Sequence, residues 1–213
     1  MQKIRVFLAK TFYANGVICL VFLTNSFNAF AFGVIFPFIS VFAAQEIKGG
    51  NLEVAGFAAG VSPLVQGPTS ILGGVILDRI SKRTERYIFI SFVVQQLSNA
   101  VYLCIMAFVT TPGQLYLLQG IRGGITGLTL PAGNIIQSKY MDKDKEGTQW
   151  GITIAIFNVF FGGGSILAGK LAEPIGLRLL FVFGGFFYLV ATVFAWKALR
   201  EMIKSKKPTQ KPA

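Results

Sequence analysis

Six long apolar stretches dominate this chain, at roughly 16–42, 54–77, 87–111, 113–137, 148–172 and 177–197. Each approaches the ~20 residues that an α-helix needs to cross the ~30 Å hydrocarbon core of a bilayer. The first is long enough to tilt or overhang. With 21 Phe and 24 Gly among 213 residues and only 14% of them charged, the composition suits helices that meet through small residues and turn large side chains to lipid. The spacing predicts an all-α membrane protein with six transmembrane helices over residues 16–197. A short amphipathic cytoplasmic segment (1–15) precedes them and a basic cytoplasmic tail (198–213) follows.

A net charge of +11 would suggest nucleic acid in a soluble domain. Here the placement of the charges decides against that partner and for the lipid bilayer. With both termini on one side, that side holds Lys3, Arg5, Lys10, Arg79, Lys82, Arg83, Arg86, Lys139, Lys143, Lys145 and the six basic residues from Lys197 to Lys211. The other side holds Lys48, Lys170 and Arg178. By the positive-inside rule both termini are expected to be cytoplasmic, in a multi-pass protein of the plasma (inner) membrane.

Catalytic and cofactor readings find little to stand on. There is no histidine, which removes His-based relays, haem ligation and Ser–His catalysis. Cys19 and Cys104 fall inside apolar stretches, so neither a disulfide nor a metal cluster is expected. No paired carboxylates lie within the spans, and Gly162–Gly163–Gly164–Ser165 lacks both a base and the Lys–Ser/Thr ending of a phosphate loop. Close helix packing is the better reading of that run. No cofactor is implied, and the chain does not read as an enzyme.

The chain repeats itself at an offset of 94 to 95 residues. Gly33–Pro37 (GVIFP) matches Gly127–Pro131 (GLTLP), Gly74–Asp78 (GVILD) matches Gly169–Glu173 (GKLAE), and Gly56 aligns with Gly151. Three spans separate the copies, so they must run in opposite directions, as a 3+3 inverted repeat. Pro63, Pro68 and Pro131 read as kinks, either gating or static.

Polar residues within the spans are the candidate solute cavity: Asn25, Asn28, Gln119, Arg122 and Asn158. Arg122 stands about ten residues into the fourth span, or ~15 Å at 1.5 Å per residue. Holding a guanidinium there costs at least ~2.5–3.5 kcal/mol, which fits a water-filled cavity or an anionic partner. Its alternatives are a substrate or gating role, or a local carbonyl at Gly123–Gly124. The amides either line a cavity or join helices. Gln95, Gln96 and Asn99 read as helix packing, and the last span, almost free of polar side chains, reads as lipid-facing.

The loop after the second span reads Gly74–Val75–Ile76–Leu77–Asp78–Arg79, continuing to Lys82 and Arg83. Gly74 allows a close helix, Asp78 is a carboxylate at the membrane boundary, and the three basic residues hold the loop inside. This run resembles the G-x-x-x-D-R-x-G-R-R signature of the major facilitator superfamily, with Ser81 at the second glycine. The Gly162–Gly169 run resembles that family's antiporter motif, with Phe160, Ser165 and Ala168 departing from it. Tyr116 stands before Gln119–Gly120 where the family often has arginine.

What the resemblance implies is one half of a twelve-helix fold, closest in motif decay to the C-terminal half of a drug or metabolite permease. The implied function is transport of a small-molecule solute by alternating access. The implied partner is a second six-helix half, as a homodimer or a separate chain. Gly74, Asp78, Arg79, Lys82 and Arg83 would form the gating loop. The alternative is a non-transporting membrane scaffold or a truncated remnant of a transporter.

Overall fold

The computed structural model describes residues 16–81, 85–141 and 146–205. The amphipathic segment 1–15, the end of the tail, Lys82, Arg83, Lys143 and Lys145 lie outside the described residues. Among the described residues there are six α-helices: α1 Gly16–Gln45, α2 Leu52–Ser81, α3 Arg86–Met106, α4 Pro112–Tyr140, α5 Glu146–Ile175 and α6 Leu177–Ser205. Most overrun the apolar stretches by a few residues. The third stops short at Met106, because residues 107–111 form turns that lead into α4.

Five of the six are long and apolar enough to cross a membrane; α4, which carries Gln114, Gln119, Arg122, Asn134 and Gln137, falls short. Its start is set locally. Thr111 accepts from the Gln114 N–H, the Gln114 side chain accepts from the Thr111 N–H, and Pro112 occupies the first turn. The α5–α6 turn is a single residue, Gly176, whose φ of 79° is the left-handed conformation that ends a helix cheaply only at glycine.

Packing follows the predicted repeat. α1 lies against α5 and α6, α4 lies against α2 and α3, and α3 lies against α6. Exchanging α1 with α4, α2 with α5 and α3 with α6 maps each of these contacts onto another or onto itself. The crossings coincide at residue level. Gly33 of α1 meets the Phe161 backbone of α5, and Gly127 of α4 meets the Gln66 and Ser70 backbone of α2. Gln66 and Phe161 are themselves 95 positions apart. At the first crossing the Ser165 hydroxyl donates to the Gly33 carbonyl (2.9 Å), the group that Pro37 frees by lacking an N–H.

The last helix differs from its sequence reading. Leu180, Phe181, Tyr188, Ala191, Ala195, Ala198, Leu199 and Met202 are all buried, so one stripe of α6 packs on α1 and α3 and only the remainder faces outward. In a bilayer, lipid and helix contacts are equally apolar, and the signal lay in the spaced alanines rather than in missing polar groups.

Two apolar clusters fill the interior, one toward each end. Val17, Val21, Ile88, Phe89, Phe92, Ala132 and Ile136 belong to the cluster at the end that bears the termini. Ala31, Val34, Leu103, Met106, Leu115 and Leu118 belong to the other. On α1, α3 and α4, the interval between the two clusters holds the polar residues: Asn25 and Asn28, Gln95, Gln96 and Asn99, Gln119 and Arg122.

Candidate functional site

This central polar belt is tied across helices. The Asn28 Nδ2 donates to the Gln96 Oε1 at 2.8 Å, joining α1 to α3. The Tyr102 hydroxyl donates to the Gln119 Oε1 at 3.1 Å, joining α3 to α4. Arg122, one turn beyond Gln119, lays its guanidinium 4.9 Å from the centre of the Tyr102 ring. Its Nε is buried with no hydrogen-bond partner, and Arg122 forms no ion pair among the described residues. The fully buried Gln96 likewise keeps an unpartnered Nε2. Buried donors left open in this way cost free energy unless something else meets them.

Two cavities adjoin the belt. One, of about 300 Å³, lies among α1, α3, α4 and α5 toward the end bearing the termini. Asn25, Asn28, Gln95, Gln96, Asn134, Gln137 and Thr153 give it a polar wall, with Phe92, Trp150 and Phe157 between them. The other, of about 430 Å³, lies among α1, α2 and α4 toward the opposite end. Gln119, Arg122, Gln66, Ser62 and Ser40 face it, alongside Phe32, Phe36, Pro37 and Ile39.

The two cavities are related by the repeat along α1, α2, α4 and α5, while the α3 wall of the first has no α6 counterpart in the second. At the α1/α4 offset of 94, Asn25 corresponds to Gln119, Asn28 to Arg122, Phe36 to Leu130, Ile39 to Gly133 and Ser40 to Asn134. At the α2/α5 offset of 95, Ala59 corresponds to Ile154 and Ser62 to Phe157. In each pair one member lines one cavity and its mate lines the other. The copies differ in charge, since Arg122 stands where its mate has a neutral amide.

Arg122 also borders a third space of about 280 Å³, a groove between α3 and α4. Its other walls are Val94, Leu97, Val101, Ile105, Leu118, Ile121 and Ile125, with Ser98 and Tyr102.

The sequence candidates therefore separate. Asn25 and Asn28 line the first cavity, and Gln119 and Arg122 the second. Asn158 is exposed in the single chain, and its side chain donates to the Ile154 carbonyl of its own helix (2.9 Å). Gln95, Gln96 and Asn99 are buried between helices, and the first two also face the first cavity. In the loop motif, Asp78 and Arg79 are exposed at the end of α2. The close helix approach falls at Gly73, whose added Cβ would meet the Leu128 backbone, while nothing lies near a Cβ at Gly74. Sequence reading missed Ser40, Ser62, Gln66, Asn134, Gln137, Trp150 and Thr153. Of these, Ser40 and Asn134 are repeat mates at the offset of 94, the one sequence signal that ties two of them together.

Comparison with known proteins places this architecture. The profile of the Major Facilitator Superfamily matches residues 21–213. The chain belongs to the major facilitator superfamily. It is similar to multidrug resistance protein MdtG of Salmonella typhi and of Salmonella newport, 22% identical over 181 residues, or 84% of this chain. The match covers 43% of those proteins, so the chain spans less than half the length of the curated relatives it matches. Family membership together with the apolar helices makes this an integral, multi-pass membrane protein of the major facilitator transporter type.

Proposed function

We propose that this chain moves a small solute by alternating access, as one half of a twelve-helix assembly. The observation that carries the reading is the pair of repeat-related cavities in opposite halves of the bundle. Inverted repeats supply two packings of equal design, and exchange between them opens a central site first to one side and then to the other. A scaffold has no use for paired polar cavities that leave buried donors open, and flux separates a working transporter from a remnant.

A second six-helix half is supported by the outer faces of α2 and α5. Gly56, Gly67 and Gly74 on α2 lie 11 and 7 residues apart, close to whole helical turns, and none has a neighbour near its missing Cβ. Their mates on α5, Gly151, Gly162 and Gly169, are equally open. Two matching glycine faces fit close helix contacts with another bundle, whether a second copy or a separate chain. Asp78 and Arg79, with Lys82 and Arg83, would gate the end bearing the termini, which the positive-inside rule makes cytoplasmic. The MdtG name suggests drug-like solutes, and energy would come from an ion gradient or the solute's own gradient, without enzymatic chemistry.

Purified protein reconstituted into liposomes, assayed for uptake and efflux of a panel of drug-like solutes, tests this reading. Flux that requires assemblies of at least two six-helix units supports it. A protein that stays monomeric in native membranes and carries none of the panel overturns it in favour of the scaffold or remnant.

A further inference from the structure

We infer that the solute is an amphipathic organic anion, and that its anionic group sits on Arg122 in the cavity among α1, α2 and α4. The inference rests on the transport reading for its biological meaning, but it concerns binding and is tested by binding. Arg122 brings a permanent cation to mid-membrane, where it is costly without a counter-charge. No carboxylate of the described residues pairs with it, and its Nε is buried without an acceptor. The Tyr102 ring beneath the guanidinium orients it but cannot neutralise it. Gln119 is already engaged by Tyr102 through its oxygen, which leaves its amide donors for an incoming acceptor.

The rest of the ligand is defined by what surrounds that charge. Phe32, Phe36 and Ile39 give the cavity an apolar wall, and its volume of about 430 Å³ lies in the range of small-molecule sites. The adjoining groove between α3 and α4 is almost wholly apolar and shares Arg122. A ligand with one anionic group and an apolar body matches this lining of one cation and apolar walls. The repeat-related cavity carries Asn28 at the equivalent position and no charge at all, so it offers hydrogen bonds but no preference for an anion.

The test compares two near-isosteric probes, one anionic and one neutral, 6-(dansylamino)hexanoate and its primary amide. Both are bound to the purified full chain in a non-ionic detergent and followed by fluorescence. The carboxylate is expected to bind about tenfold or more tighter than the amide, the range of a charge-assisted hydrogen bond. Arg122→Gln should abolish the preference by weakening the carboxylate alone, and Arg122→Lys should restore part of it. Lys204→Gln, which removes an exposed charge near the end of α6, should leave the preference intact. Equal binding of the two probes by the unmodified protein overturns the inference, with no variant needed. So does a preference that survives Arg122→Gln or disappears with Lys204→Gln. If the preference follows Arg122 while liposomes show no flux, the ligand class stands and the transport reading falls.

Discussion

Substituting Gly33 by alanine should destabilise the bundle, although alanine is the better helix former. A Cβ at Gly33 would stand 2.8 Å from the Phe161 carbonyl carbon and 2.9 Å from its Cα, and nearer still to the carbonyl oxygen. These are backbone atoms, so no side-chain rotation relieves them, and α5 must withdraw from α1. A gap of ~0.5–1 Å forfeits a quarter to a half of each dispersion contact along the crossing. Overpacking of this kind costs about 1–3 kcal/mol. Withdrawal also lengthens the Ser165–Gly33 hydrogen bond, worth about 1 kcal/mol. The intrinsic helix gain of glycine to alanine returns about 1 kcal/mol.

The net expectation for Gly33→Ala is therefore a loss of about 1–3 kcal/mol. Gly113→Ala, in the exposed first turn of α4, meets nothing within 4 Å and should be neutral or gain up to about 1 kcal/mol. Unfolding in mixed micelles of increasing sodium dodecyl sulfate mole fraction, followed by circular dichroism, measures both. If the two variants unfold together, the α1–α5 crossing is not held by backbone proximity and the reasoning fails.

Other substitutions probe the remaining joints. Asn28→Ala and Gln96→Ala should each cost about 1–2 kcal/mol, and the double variant should cost less than their sum, by about 1 kcal/mol of coupling. Arg178 donates to the Ala107 carbonyl (2.6 Å) and lies 5.3 Å from the Phe42 ring, so Arg178→Ala should lose about 1–2 kcal/mol in the same assay. Its ion partner Glu46, 4.0 Å away and half exposed, should give less than about 0.5 kcal/mol when replaced by alanine. Asp78→Asn should slow liposome flux while leaving the unfolding curve unchanged; normal flux in that variant would remove Asp78 from the gate.

The helices and their repeat were legible because hydrophobic length and glycine spacing are one-dimensional signals. Gly33 and Gly127 were legible as repeat mates, and the structure places both at close helix crossings. The α6 orientation was not legible by polarity, since Phe181 and Phe186 are chemically alike and only packing buries the first and exposes the second. Within the site, Arg122 and the amides stood out by their cost in a bilayer. Their division into two cavities depends on which helices flank them, and no residue count supplies that. Gly74 was read as the close contact because it opens the motif. Within this bundle the close approach is at Gly73, and because a single step along a helix turns about 100°, Gly74 is left on the open face of α2.

The lone charge of Arg122 has an electrical consequence. It lies about ten residues into α4 from Pro112, near the middle of the membrane, and its repeat mate Asn28 carries no charge to balance it. Moving one elementary charge fully across the membrane potential changes the free energy by ~2.3 kcal/mol per 100 mV. Any rearrangement that shifts water access to Arg122 from one side to the other moves a fraction of that charge through the field. The empty protein would then respond to voltage, while an anion on Arg122 cancels the charge and makes the loaded form indifferent to it. Membrane potential would act on the return of the empty form, and so set the direction of net flow without touching the solute.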